Sequence, residues 1–506
     1  MIKPSHFIFL WLTWTLTASF ELSAFDATQF KRIIGKSGHY FGTSLSNAGD
    51  INKDGYEDII IGTNQNIVYV FFGGENSFSS DIDLTSPSFS GFTITGATGD
   101  KLGGAVSCAG DVNKDGYDDI IIGAYASNSN QGVAYVIYGG SNLQDINLGS
   151  TILEPHSTGF MIKGNQTDDM LGTSVSSAGD INKDGFADIM IGAPAKNIGR
   201  GAVYVIYGKK TAEFTNFDLS SMTLEPASTG FMITGERSSD QLGASVRNAS
   251  DINKDGYADI IIGAPNQNNT RGAAYVVYGG PKSTLGNINL ETTPLEPATT
   301  GFSLKGNANS DTFGISVSGA GDINNDGYAD IIIGARQKSF SQGSAYVIYG
   351  GPKSSLPNLD FSTTALDPHT NGFMITGNAA NDQLGISVSK AGDVNGDRYG
   401  DIIVGAQGKT SDKGIAYVIY GGPKSSRENV DLSVITEPSF PTKGFAIGGE
   451  ASGGFFGHSV SVAGDINGDG KPELIIGASI GSTLTNAGAA YVIYPSSKWK
   501  YYLRDI

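Results

Sequence analysis

A single cysteine, Cys108, serves a chain of 506 residues, so no internal disulfide can form and an exported fold of this size must be fastened some other way. Cys108 sits in Ala105-Val106-Ser107-Cys108-Ala109-Gly110, at a place filled elsewhere by Ser177 or Asn248, which reads as a small buried position and not as a nucleophile. Histidine is scarce too. His6, His39, His156, His369 and His458 are scattered, with no His-x-x-x-His pair and no Ser/His/Asp order to suggest hydrolytic chemistry. His39 and His458 fall at corresponding places and read as surface residues. Charged residues are only 16% of the chain, the net charge is -17 and no basic stripe occurs, so nucleic acid is not an expected partner. After the first two dozen residues, no apolar run reaches bilayer-spanning length and no segment keeps a helical period.

The N-terminus is the exception. Lys3, the apolar run from Phe7 to Leu16 and the small residues Thr17-Ala18-Ser19 have the layout of a secretory signal, so residues 1–24 are expected to be a signal peptide cleaved near 18–24. Residues 25–506 are then one domain, secreted or held at the cell surface. Sequons at Asn165, Asn248 and Asn268 carry glycans only in a host that attaches them.

What is abundant is repetition. A nine-residue stretch with oxygen side chains at places one, three, five and nine starts at Asp50, Asp111, Asp180, Asp251, Asp322, Asp393 and Asp465, at spacings of 61 to 72 residues. Side-chain oxygens at these places, with a backbone carbonyl at place seven and a glycine turn at place six, suit one hard cation, calcium above all. The candidate ligands are Asp50, Asn52, Asp54, Tyr56 and Asp58 in loop 1, and Asp111, Asn113, Asp115, Tyr117 and Asp119 in loop 2. Loop 3 offers Asp180, Asn182, Asp184, Phe186 and Asp188; loop 4 offers Asp251, Asn253, Asp255, Tyr257 and Asp259. Loop 5 has Asp322, Asn324, Asp326, Tyr328 and Asp330, and loop 6 has Asp393, Asn395, Asp397, Tyr399 and Asp401. Loop 7 has Asp465, Asn467, Asp469, Lys471 and Glu473.

Two copies deviate. Arg398 stands where loop 6 wants glycine, at a strain on the order of 1 kcal/mol, so the weakest site is expected at Asp393–Asp401. Loop 7 ends in Glu473 after Pro472 and coordinates only if the longer side chain folds back. The acidic places account for 21 of the 50 Asp and Glu, and seven divalent cations would bring the net charge from -17 to -3. Cations of structural role, up to seven, would do the work of the missing disulfides. The metal-free alternative is that the carboxylates only cap tight turns by Asx-type hydrogen bonds.

Around each loop lie four strand signals, seen in the third unit at Leu171–Gly179, Asp188–Ala193, Ala202–Gly208 and Gly230–Gly235. Seven units of four strands predict an all-β fold, a seven-bladed β-propeller. The fourth-strand pattern also appears before the first loop, at Phe30–Gly35, while the last unit stops after its third strand, Ala490–Tyr494. The N-terminal strand is therefore expected to pair with the C-terminal blade and close the ring, hiding two sheet edges. Tyr204 and Tyr207 could stack a sugar but read as core.

Phe41-Gly42, Phe313-Gly314, Phe456-Gly457 or Leu171-Gly172 precede the loops, and Gly192-Ala193-Pro194 or Gly263-Ala264-Pro265 follow them. In these motifs the chain resembles the FG-GAP repeat, the blade unit of integrin α subunits and of many secreted microbial proteins. The Gly-Ala-Pro motif departs from the pattern at Gly62-Thr63-Asn64, Gly123-Ala124-Tyr125, Gly334-Ala335-Arg336, Gly405-Ala406-Gln407 and Gly477-Ala478-Ser479. The resemblance implies a calcium-binding, non-catalytic recognition module with an adhesion-type role toward an extracellular protein or glycan. It does not imply an integrin β-type partner, since leg domains, membrane span and tail are not seen. A calcium-dependent lectin is the alternative, and a secreted hydrolase or lyase on the same scaffold a more distant one.

Overall fold

In the computed structural model, residues 30–86, 89–433, 442–450, 452–480 and 486–495 are described; the expected signal peptide lies outside them. The second strand of each unit explains the architecture best. Asp188–Ala193 and its counterparts from Asp58–Gly62 to Glu473–Ala478 are buried along their whole length, because a neighbouring sheet covers each face. In blade 3, Ser174–Gly179, Asp188–Ala193, Ala202–Ile206 and Gly230–Thr234 pair antiparallel in that order. Seven such sheets form the seven-bladed propeller.

The hydrophobic core is correspondingly divided into seven clusters, one in each gap between blades. The cluster of Phe160, Ile162, Val175, Ile189 and Ile191, for example, joins blades 2 and 3. Tyr204 and Tyr207 are buried in these gaps, as the sequence suggested.

Blades have one element beyond the four expected strands. The connection after each third strand lends two residues to the blade before it, as where Ile288–Asn289 pairs parallel to Gly230–Thr234. Six of the sheets are thus five-stranded, and the blade of Leu384–Gly392 shows four strands among the described residues. A two-residue strand is too short to leave a periodic signal.

Phe30–Ile34 pairs antiparallel with Ala489–Ile493, in the register Phe30 to Ile493 and Ile34 to Ala489, and closes the ring. Ile33 is fully buried in that seam. Arg32 adds ion pairs to Asp81 at 2.7 Å and Glu450 at 3.2 Å.

The glycines of the two flanking motifs meet across every gap. A Cβ on Gly123 would lie 2.0 Å from the carbonyl oxygen of Gly172 in the next blade, and one on Gly334 would lie 2.0 Å from that of Gly385. Only glycine admits this approach. The same carbonyls accept serine hydroxyls from the preceding blade: Ser174 bonds Gly243 at 2.7 Å, Ser316 bonds Gly385 at 2.8 Å, and Ser459 bonds Gly42 at 2.8 Å across the closure. Ser44, Ser245 and Ser387 do likewise. Ala105 takes the serine's place in blade 2 and leaves that gap without the bond.

The first strands surround a narrow central channel. His458 lines it, with Nδ1 2.7 Å from Gln407 Oε1, so its expected surface role is corrected to a channel-lining one. Arg247 also lines it, at a place where the other blades have serine, and donates to the carbonyls of Val175 and Val246. Cys108 is half-buried, more open than the buried position expected; burial pushes its thiol up and Gly110 N–H bonds its sulfur at 3.3 Å.

Candidate metal centres

Each loop joins the first and second strands of its blade, so all seven stand on one face of the ring. In loop 1 the place-one carboxylate of Asp50 accepts the N–H groups of Asp54 at 3.0 Å and Gly55 at 2.9 Å. The place-five carboxylate of Asp54 accepts Tyr56 N–H at 3.0 Å. These are the Asx-type bonds of a tight turn, and they recur in every loop.

Place nine lies deeper. Asp58 is fully buried, and its two oxygens accept the N–H groups of Ile51 at 2.9 Å and Gly73 at 2.8 Å. Asp119, Asp188, Asp259, Asp330 and Asp401 repeat both bonds. Burial pushes these carboxyls up, Asp58 and Asp401 to about 7 and Asp259 and Asp330 to about 8; the backbone N–H groups oppose the shift, and the acids at places one and five add to it.

Glu473 does fold back. Its Oε2 accepts Ile466 N–H at 3.1 Å, as the aspartates do, but the residue matching Gly73 is Pro495, which has no N–H to give. The second oxygen instead accepts Asn467 Nδ2 at 3.0 Å, and the carboxyl is pushed up by burial to about 8.

Arg398 has φ 75°, in the left-handed region, as its place requires. Place four is left-handed as well, which the sequence reading missed: Lys53, Lys114, Lys183, Lys254 and Asn325 have φ between 56° and 61°. Loop 6 has Gly396 there, so loops 1 to 6 each carry one strained non-glycine residue, and loop 7, with Gly468 and Gly470, carries none. Strain therefore does not single out loop 6; the charge of Arg398 does.

Among the described residues, no three His, Cys, Asp or Glu side chains converge tightly enough to enclose an ion in this conformation. The donor set nonetheless fits a hard cation in two respects. Places one, five and nine bring three carboxyls into one turn in each loop, and the side-chain oxygens of Asn182, Asn253 and Asn324 at place three are buried without any hydrogen-bond partner. A buried oxygen left unpaired beside acids is costly unless a donor or a cation takes it, and the adjacent carboxyls favour the cation.

Residues 41–71, 103–137, 171–206, 242–277, 313–348, 384–419 and 456–493 each match the FG-GAP repeat. The chain belongs to the FG-GAP repeat family. This FG-GAP propeller is 28% identical over 272 residues to integrin alpha-4 of Xenopus laevis, covering 53% of this chain and 22% of the relative. It is 31% identical over 261 residues to integrin alpha pat-2 of Caenorhabditis elegans, covering 49% and 19%. It is also 28% identical over 313 residues to the phosphatidylinositol-glycan-specific phospholipase D of Dictyostelium discoideum, covering 57% and 30%. The chain thus spans less than a third of the length of each of these relatives. No helix among the described residues is long and apolar enough to cross a membrane.

Proposed function

We propose that this FG-GAP propeller is a calcium-stabilised, non-catalytic recognition module working outside the cytoplasm, in an adhesion-type role toward an extracellular protein or glycan. Calcium, up to one ion per blade, would be held by places one, three, five and nine with the place-seven carbonyl, most weakly at Asp393–Asp401. There it supplies cross-linking charge to the turn. The observation that carries the cation reading is the set of buried, unpartnered Asn182, Asn253 and Asn324 oxygens beside buried acids. Likeness to integrin alpha chains supports the recognition role.

The face opposite the cation loops is the proposed contact surface. It carries Ile198 and Phe340, 86% and 90% exposed, on matching turns of blades 3 and 5 whose backbones are left-handed at both residues. Large apolar side chains presented on strained turns suit a protein partner. Pull-down from extracellular fractions with the parent and with Ile198→Asp/Phe340→Asp tests this: capture by the parent and loss by the variant supports it, and equal capture contradicts it. The lectin alternative draws on a cavity of about 610 Å³ beside loop 4, lined by Tyr257, Tyr278, Thr299 and Lys353. A glycan array with and without calcium separates the two readings.

A further inference from the structure

Among the described residues, three of the seven loops are approached by a lysine from the following blade. Gly-Gly-Pro-Lys occurs at 279–282, 350–353 and 421–424, in each case just after a third strand. Its second glycine donates to the place-two carbonyl of the preceding blade's loop: Gly280 to Ile181 at 2.9 Å, Gly351 to Ile252 at 3.0 Å and Gly422 to Ile323 at 2.8 Å. That bond anchors the lysine beside the loop. Lys282 then pairs with Asp184 at 2.9 Å, Lys353 with Asp255 at 2.9 Å and Lys424 with Asp326 at 2.6 Å. Each ammonium also lies over a tyrosine of the loop's own blade, Tyr207, Tyr278 or Tyr349, at 4.9, 4.8 and 4.7 Å from the ring centre.

Loops 3, 4 and 5 differ from loops 1, 2 and 6 in a second way, which loop 7 shares without a lysine, since Asn467 also donates to the place-nine Glu473. In loops 1, 2 and 6 the place-three amide of Asn52, Asn113 or Asn395 donates to the place-five carboxylate. In loops 3 to 5 the lysine takes that oxygen. Asn182, Asn253 and Asn324 donate to the place-nine carboxylate instead, and it is their carbonyl oxygens that are left unpartnered.

The same backbone anchor exists where the lysine does not. Gly140 donates to Ile51 beside loop 1, Lys209 to Val112 beside loop 2 and Gly74 to Ile466 beside loop 7. At the lysine's place these segments have the neutral Asn142, Thr211 and Asn76. A further set of ammonium groups, from place four, stands over the next loop's place-seven ring: Lys53 over Tyr117, Lys114 over Phe186, Lys183 over Tyr257 and Lys254 over Tyr328, at 5.4 to 5.6 Å. Loop 1 therefore faces neither kind of lysine, loop 2 faces one, and loops 3 to 5 face two.

We propose that Lys282, Lys353 and Lys424 set cation affinity among loops 1 to 5, so that these five fill in stages: loop 1 first, loop 2 next, and loops 3 to 5 last. This rests on the calcium reading given above. A divalent ion entering loops 3 to 5 shares the place-five carboxylate with an ammonium or displaces it. Either course costs Coulomb energy, and one extra unit charge at about 5 Å through a water-like medium changes affinity about tenfold.

The test is a calorimetric titration of the full chain, stripped with chelator, using calcium itself. The parent is expected to show a tight class and a weaker class. In the triple variant Lys282→Met/Lys353→Met/Lys424→Met, three sites move about tenfold toward the tight class, whereas the triple Lys→Arg variant, which keeps the charge, retains the parent's isotherm. Asn142→Lys should weaken one tight site. Should the triple methionine variant fail to fold, Lys353→Met alone must tighten a single site. Weak sites that stay in place in the methionine variants, with stoichiometry intact, overturn this inference and leave the calcium reading standing; no binding by the parent overturns both.

Discussion

Asn325 makes room for Arg398. At the four preceding junctions a place-four lysine lies against the next loop's place-six glycine, with Nζ 2.6 to 2.7 Å from where a Cβ on Gly116, Gly185, Gly256 or Gly327 would stand. At the fifth junction the lysine is replaced by Asn325 and the glycine by Arg398, so the two exceptions answer each other.

The first prediction is a double-mutant cycle on this pair. Asn325→Lys alone should destabilise the protein by about 1–2 kcal/mol, since it meets a side chain and a like charge. In an Arg398→Gly background the same change should cost close to nothing. Urea midpoints of the four proteins measure the coupling, and additivity would deny it.

Ala105→Ser supplies the one hydroxyl absent from the inter-blade series. It should bond the Gly172 carbonyl and raise stability by about 1 kcal/mol, while Ser459→Ala at the closure lowers it by a similar amount. Thermal melts of the two variants check the opposite signs.

The closing strand gives a larger effect. Ile33 is fully buried between the sheet's third strand and the neighbouring gap, so Ile33→Ala should cost about 2–4 kcal/mol. Deleting residues 20–35 should lower the melting temperature sharply and expose two strand edges, detectable as concentration-dependent aggregation.

The architecture was legible in the sequence because its causes are local. Apolar runs such as Asp259–Ala264, the glycines that admit a neighbouring backbone and the fourth-strand pattern misplaced at Phe30 each report a constraint inside one short stretch. What escaped the sequence was set by the neighbouring blade. Left-handed Lys53 at place four, the Lys53 ammonium over Tyr117 and the reach of Lys353 to Asp255 join residues far apart in the chain. The thrice-repeated Gly-Gly-Pro-Lys was the visible trace of that last contact. Arg247, alone among serines at its place, was likewise visible by comparing blades, but its direction into the channel was not.

The buried acids predict an unusual pH profile in chelator. Asp58 and Asp401 near 7, and Asp259, Asp330 and Glu473 near 8, hold protons that the unfolded chain has lost by about pH 4. Their contribution to stability is fully present below that value and is lost as pH rises through 7 to 8. The stripped protein should thus melt at a higher temperature at pH 5 than at pH 8. Exposed Asp83 and Asp218, lowered by the hydroxyls of Thr85 and Ser220, act in the opposite sense only below about pH 4, outside this window. With calcium present the acids ionise to bind it, and the fall toward pH 8 should disappear.

The most direct measurement is the melting temperature of the full chain at pH 8 in calcium against chelator. With dissociation constants of ~0.1 mM and calcium at ~1 mM, each filled loop adds about 1.4 kcal/mol, so calcium should raise the transition by many degrees. A melt that is the same in calcium and in chelator would contradict the claim that the seven loops are the fasteners of the ring.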